Sequence, residues 1–153
     1  MPDMKKFVWF DMDGTISNLY GVNNWLEMLR SFDPTPYAEA EVMLNMSLLA
    51  RLLNRVQSAG YGIGIISWLS KCPTPEYNEA VTTAKVAWLN KHLKSVCFDE
   101  IYIVDYGTPK SDFMETDDDI LFDDEEQNRN SWEGEAYEPD DIIKVLKNLL
   151  NEE

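Results

Sequence analysis

The sequence predicts a single α/β domain, spanning residues 1–153, built on a mainly parallel sheet. Three observations carry that reading. Short apolar runs alternate with longer stretches of helical spacing. Polar, chemistry-bearing residues come directly after those runs, where an open parallel sheet binds ligands. A chain of 153 residues with 44% apolar composition is long enough for one substantial core.

Residues 5–10, "KKFVWF", form a short aromatic run that suits a buried strand. Residues 16–36 are mixed, but Trp25, Leu26 and Leu29 mark a short helix that stops before "DPTP". Across 37–59 the spacing is helical, with Met46, Leu49, Leu53 and Val56 on one face and Gly60 at the expected C-terminus. "YGIGIIS" (61–67) reads as a second strand whose glycines permit close backbone approach. "TPEYNEA" supplies a threonine cap, a proline at the first helical position and a glutamate. A helix therefore starts at about residue 75, with Val81, Ala84 and Trp88 on one face. "EIYIVDY" and "DILFDD" are the third and fourth strands. Asn128 and Trp132 orient a helix after the second of these, and "EPDDIIKVLKNLL" closes the chain as a helix with Ile142, Val145 and Leu149 inward. The charge run "ETDDDI" reads as a solvated loop, and His92 as a solvent-facing helix residue.

Composition narrows the function classes. The net charge is −15, from 28 acidic and 13 basic residues, with no Lys/Arg block. Such a surface repels long nucleic acids and anionic membranes, although one phosphate in a local pocket is compatible with it. Cys72 and Cys97 show no metal or redox spacing and read as free thiols in a reducing compartment. No apolar run reaches bilayer-spanning length, and "MPDMKK" lacks the apolar region of a secretory signal. The expected location is the cytoplasm (a host's, were the chain phage-encoded).

The residues just past each strand carry the most chemistry. The first strand ends in Asp11-Met12-Asp13-Gly14-Thr15, the second in Ser67 and the fourth in Asp123-Asp124, while the third leads to Lys110. Alternation lets Asp11 and Asp13 reach one side while Met12 turns away. Four acids, a hydroxyl and an ammonium at one sheet edge are the parts that phosphoryl transfer needs. One carboxylate attacks phosphorus, a second moves protons, a cation held by acids screens the repulsion, and lysine and hydroxyl stabilise the phosphoryl oxygens.

"FVWFDMDGT", "IGIIS", "GTPKSDF" and "ILFDD" together resemble, in order, the four motifs of the haloacid dehalogenase (HAD) superfamily of phosphohydrolases. The resemblance covers 5 to about 130. It implies a three-layer Rossmann-like fold and a Mg²⁺ cofactor. It makes Asp11 the nucleophile, Asp13 the general acid/base with its carbonyl on the metal, and Ser67 and Lys110 the phosphoryl contacts. Asp11, Asp13, Asp123 and Asp124 become the metal residues. "WEGEAYEP" holds one glycine, so the last strand should be short. Only about 45 residues separate Gly14 from the second strand, leaving no room for a large cap. Residues 16–45 should form a flap or small roof, with Met43 and Met46 as packing residues in or beneath it. Substrate contacts are expected at Thr15, Tyr20, Trp25, Arg30 and Trp68.

The resemblance to small members such as deoxyribonucleotidases and phage or bacterial phosphatases implies a small phosphorylated substrate, with a nucleotide the best guess. The alternative is a HAD-scaffold binding protein that sequesters a nucleotide-like signal. A receiver domain has the wrong motif order. An open site leaves room for a homo-oligomer to complete the pocket.

Overall fold

In the computed structural model, residues 5–71 and 74–152 are described, and Cys72 lies outside them. Strand β1 (Phe7–Phe10) is buried along its whole length. It pairs in parallel with β4 (Gly62–Trp68) on one side and β6 (Ile120–Phe122) on the other. Beyond β4 lies β5 (Glu100–Val104), and beyond β6 lies β7 (Glu135–Tyr137), giving the order β5-β4-β1-β6-β7. The sheet is parallel throughout. Its carboxyl edge at β1 is the point where the chain leaves in opposite directions, which is where such sheets bind ligands.

The main core joins one sheet face to α3 (Met46–Ser58), the later turns of α4 (Pro75–His92) and α6 (Ile142–Leu149). Val8, Phe10, Ile63, Ile65 and Phe122 meet Leu49, Leu53, Val56, Trp88, Ile142 and Val145 there. On the opposite face Phe7, Trp9, Ile66 and Leu121 are covered by Phe113, Met114 and Trp132, the last at the end of α5 (Glu126–Ser131). Gly62 and Gly64 make this layer feasible, because a Cβ at either would run into the Phe7 or Trp9 ring. Those two rings stack at 4.8 Å.

Between β1 and α3 the chain builds an insertion. Ser17–Asn18 (β2) and Glu41–Val42 (β3) form an antiparallel pair, with α1 (Trp25–Arg30) and α2 (Thr35–Glu39) between them. The insertion is fastened to α4: the Trp88 indole donates to the Ala40 carbonyl (2.7 Å), and the Tyr77 hydroxyl donates to the Asp33 carbonyl (3.0 Å).

Four expectations need correction: the single helix over 37–59, the packing of Met43, the solvated charge run and the solvent-facing His92. The helical spacing across 37–59 covers two helices rather than one. Helix α2 ends at Glu39, the Met43 N–H bonds the Ile16 carbonyl at 3.1 Å, and α3 starts afresh behind Asn45, whose side chain caps the Leu48 N–H. Backbone groups at 40–45 are thus satisfied across the β2–β3 pair, so helix continuity is not required. Met43 is accordingly exposed, whereas Met46 packs on the core. The run "ETDDDI" is only partly solvated. Asp119 is fully buried, and its carboxylate accepts from the Phe7 and Glu115 N–H groups, the Trp9 indole and the Thr116 hydroxyl. Four donors compensate its desolvation. His92 is half-buried, its ring 4.6 Å from that of Trp88, and burial and Lys91 hold its pKa below the usual range. Cys97 is an exposed free thiol.

Candidate active site

The strand order brings the ends of β1, β4 and β6 together, and with them the polar residues that lie past each strand. Past β1 the chain makes a tight loop in which the Thr15, Ile16 and Ser17 N–H groups all point to the Met12 carbonyl. Gly14 permits this loop with φ of +82°, and a Cβ there would collide with the Asp124 carboxylate. Met12 is buried in the core, while Asp11 and Asp13 line a cleft above the sheet edge.

Asp11 is held from two sides. Its Oδ1 accepts from the Lys110 ammonium at 2.9 Å, and its Oδ2 from the Thr15 hydroxyl at 3.0 Å. Lys110 begins a short 3₁₀ turn ahead of β6 and is 3% exposed. It also donates to Asp123 Oδ2 at 2.7 Å. Burial works against the Lys110 ammonium, but Asp11 and Asp123 outweigh it and hold its pKa above the ordinary value. Asp123 is fully buried and further fixed by the Glu125 N–H (2.9 Å) and the Asn128 amide (3.1 Å). Thr15 is buried away from the cleft lining. Its hydroxyl lies 3.4 Å from Asp124 and accepts from the Asp124 N–H at 3.2 Å, so it ties the first loop to the acidic pair.

Oxygens of Asp11, Asp123 and Asp124 lie within 4.8 Å of one another. Burial, together with the charge of Asp11, pushes both Asp123 and Asp124 above the usual carboxylate range. Three crowded carboxylates with too little countercharge, all offering oxygen, fit a hard divalent cation such as Mg²⁺. The Asp13 side chain stands apart from this trio and turns toward β4.

There it meets a residue absent from the sequence-based set. Lys85 of α4 is 1% exposed, and its ammonium donates to Asp13 Oδ2 (2.9 Å), Ser67 Oγ (2.6 Å) and the Trp68 carbonyl (2.8 Å). Burial raises the pKa of Asp13, opposed by Lys85. The signal for Lys85 is present in the sequence: it comes four positions after Val81 and three before Trp88, a charge set within the apolar face of α4.

The cleft encloses about 420 Å³. Its floor holds Asp11, Asp13, Lys110 and Asn128, and its upper wall is Tyr20, Trp25, Leu26 and Arg30 from the insertion. Tyr20 and Trp25 meet edge to face at 5.0 Å. Opposite, Trp68 packs against Tyr106 at 4.9 Å, with its indole N–H on the Thr108 carbonyl. Ser70 also lines the cleft, and its buried hydroxyl has no partner among the described residues. Tyr20, Arg30 and Trp68 thus face the cleft, as does Trp25.

No protein-family model and no curated protein sequence matches this chain. Solved structures do. A Mesorhizobium loti protein described as a HAD-like phosphatase superposes with a TM-score of 0.62 at 12% identity, over 97% of this chain and 89% of its own. The D,D-heptose 1,7-bisphosphate phosphatase of Burkholderia thailandensis gives 0.55 at 16% identity, over 97% and 100%. The corresponding enzyme of B. bronchiseptica, solved with magnesium and phosphate, gives 0.58 at 12%, over 95% and 98%. This likeness shows that the chain has the HAD-like fold. Among the described residues no helix is long and apolar enough to cross a membrane.

Proposed function

We propose that this chain is a Mg²⁺-dependent phosphomonoesterase that works through an aspartyl-phosphate on Asp11. The observation that carries the reading is the buried contact of Lys110 with both Asp11 and Asp123, beside the Asp124 carboxylate. A cation already bridges the groups that must hold a phosphate dianion against a carboxylate nucleophile. Asp11, Asp123 and Asp124 would hold the Mg²⁺, which when bound neutralises the charge between nucleophile and substrate.

In the first step an Asp11 oxygen forms a bond to phosphorus while the ester P–O bond breaks. The departing oxygen takes a proton from Asp13, whose pKa is raised by burial against the opposing charge of Lys85. Lys110, which lines the cleft, donates to the phosphoryl oxygens, whereas Ser67 is fully buried and, like Thr15, lies outside the cleft lining. Asp13, now a carboxylate, then accepts a proton from the water that attacks phosphorus, releasing inorganic phosphate and restoring Asp11.

The cleft supports a small substrate with a flat ring. Tyr20, Trp25, Trp68 and Tyr106 offer aromatic surfaces, and Ser70 offers a buried hydroxyl with no partner among the described residues. Arg30 and Lys71 bring positive charge to the lining of an otherwise acidic protein. Nucleoside monophosphates combine these features, and their size suits a cleft of this volume.

The test is phosphate release from nucleotides, sugar phosphates and p-nitrophenyl phosphate, with Mg²⁺ and with chelator. Mg²⁺-dependent release, fastest on nucleoside monophosphates, is expected. Tight nucleotide binding without release from any ester would contradict an enzyme and favour sequestration.

A further inference from the structure

We infer that Lys85 is a positioning residue: anchored on the buried Ser67 hydroxyl and the Trp68 carbonyl, it orients the Asp13 carboxylate toward the cleft, an inference that rests on the phosphoryl-transfer reading above. An ammonium has three N–H donors and no acceptor. Lys85 uses all three, on Asp13 Oδ2, Ser67 Oγ and the Trp68 carbonyl. That count constrains both of its side-chain partners.

Ser67 Oγ must accept from Lys85, and because Ser67 is fully buried outside the cleft lining it anchors the ammonium from the sheet side. For Asp13, Oδ2 is occupied by Lys85 while Oδ1 has no protein donor among the described residues. The carboxyl group that faces the cleft therefore presents one defined oxygen to an incoming ester.

The position itself argues for a role beyond packing. Lys85 lies on the face of α4 that buries Tyr77, Val81 and Trp88. Leucine or methionine would fill the same space without desolvating a charge. Its polar contacts go to the end of β4 and to Asp13, and its ammonium lies 5.0 Å from the Tyr37 ring, in the wall of the cleft.

The test compares kcat/KM, which reports the step up to ester cleavage, for two esters in Lys85→Met. A simple alkyl phosphate needs its leaving oxygen protonated, and p-nitrophenyl phosphate does not. The alkyl ester is expected to lose about 100- to 1000-fold, the range of a general acid. The aryl ester is expected to lose no more than about tenfold, because its leaving oxygen needs no proton from Asp13. Lys85→Arg keeps the charge, but its planar fork cannot converge on the same three acceptors, so the same unequal loss is expected. Equal losses for the two esters, or none, overturn the inference while leaving the phosphatase reading intact. A wild-type protein inert on every ester overturns that reading instead. Should neither variant fold, nitrogen NMR of lysine ammonium groups in Ser67→Ala and Asp13→Asn tests the contacts directly. Each substitution is expected to shift the Lys85 resonance, and a resonance that neither moves overturns the inference.

Discussion

Lys110 holds its ammonium 2.9 Å from Asp11, the carboxylate proposed to attack phosphorus, and 2.7 Å from Asp123. All three residues are buried. Removing one member of such a cluster leaves uncompensated charge, which costs far more than the intact pair contributes. Lys110→Met should therefore destabilise the metal-free protein by about 3–5 kcal/mol. Chemical denaturation in chelator checks this, and Mg²⁺ should recover part of the loss. Turnover should fall by at least about 100-fold, because a donor to the phosphoryl oxygens is gone.

The acidic trio predicts an unusual pH dependence. Asp123 and Asp124 have folded pKa values raised from 3.8 to about 6 and about 8. Between 3.8 and those values the folded state binds more protons than the unfolded state, so the contribution of these groups to stability falls as pH rises. The metal-free protein should lose thermal midpoint from these groups as pH rises through about 6 toward 8. Asp124→Asn should flatten that slope above about pH 6. Mg²⁺ should raise the midpoint more at about pH 8 than at about pH 5.5, since it competes with protons for the same oxygens.

Asp119 separates stability from chemistry. It anchors Phe7, Trp9, Glu115 and Thr116 beneath the sheet but does not line the cleft. Asp119→Ala would strand several buried donors and should cost about 3 kcal/mol or more in urea denaturation. At a temperature where the variant is folded, kcat should stay within about twofold of wild type, a change of under half a kcal/mol in the barrier.

The upper wall should act on binding. Trp25→Ala removes one half of the Tyr20–Trp25 pair. It should raise KM for a nucleoside monophosphate by about fivefold, the equivalent of roughly 1 kcal/mol of aromatic contact. Simple alkyl phosphates should be much less affected, and steady-state kinetics on both decides.

The sheet and its acidic edge are legible in the sequence because strand ends are local. "FDMDGT" and "ILFDD" place acids directly after apolar runs, and β1 pairs with β6 where those runs predict strands. The contacts of Lys85 and Asp119 are not legible, for a shared physical reason. Asp119 sits in a charge run that reads as solvent, and the register of Lys85 on α4 marks burial without naming its partners; each is held only because partners from distant segments converge on it. Asp13 and Ser67 stand 72 and 18 residues from Lys85, and Phe7 stands 112 from Asp119. The break between α2 and α3 is hidden in the same way, since it depends on β2 pairing with β3.

The central claim is that Asp11 attacks phosphorus. Rapid acid quench during turnover of a phosphorus-labelled ester with Mg²⁺, together with borohydride reduction and peptide mass spectrometry, tests it most directly. Label bound to the protein and reduction of the Asp11 side chain to homoserine are predicted, with both absent in Asp11→Asn. Undiminished phosphate release by Asp11→Asn, or label trapped on a different residue, would contradict the account.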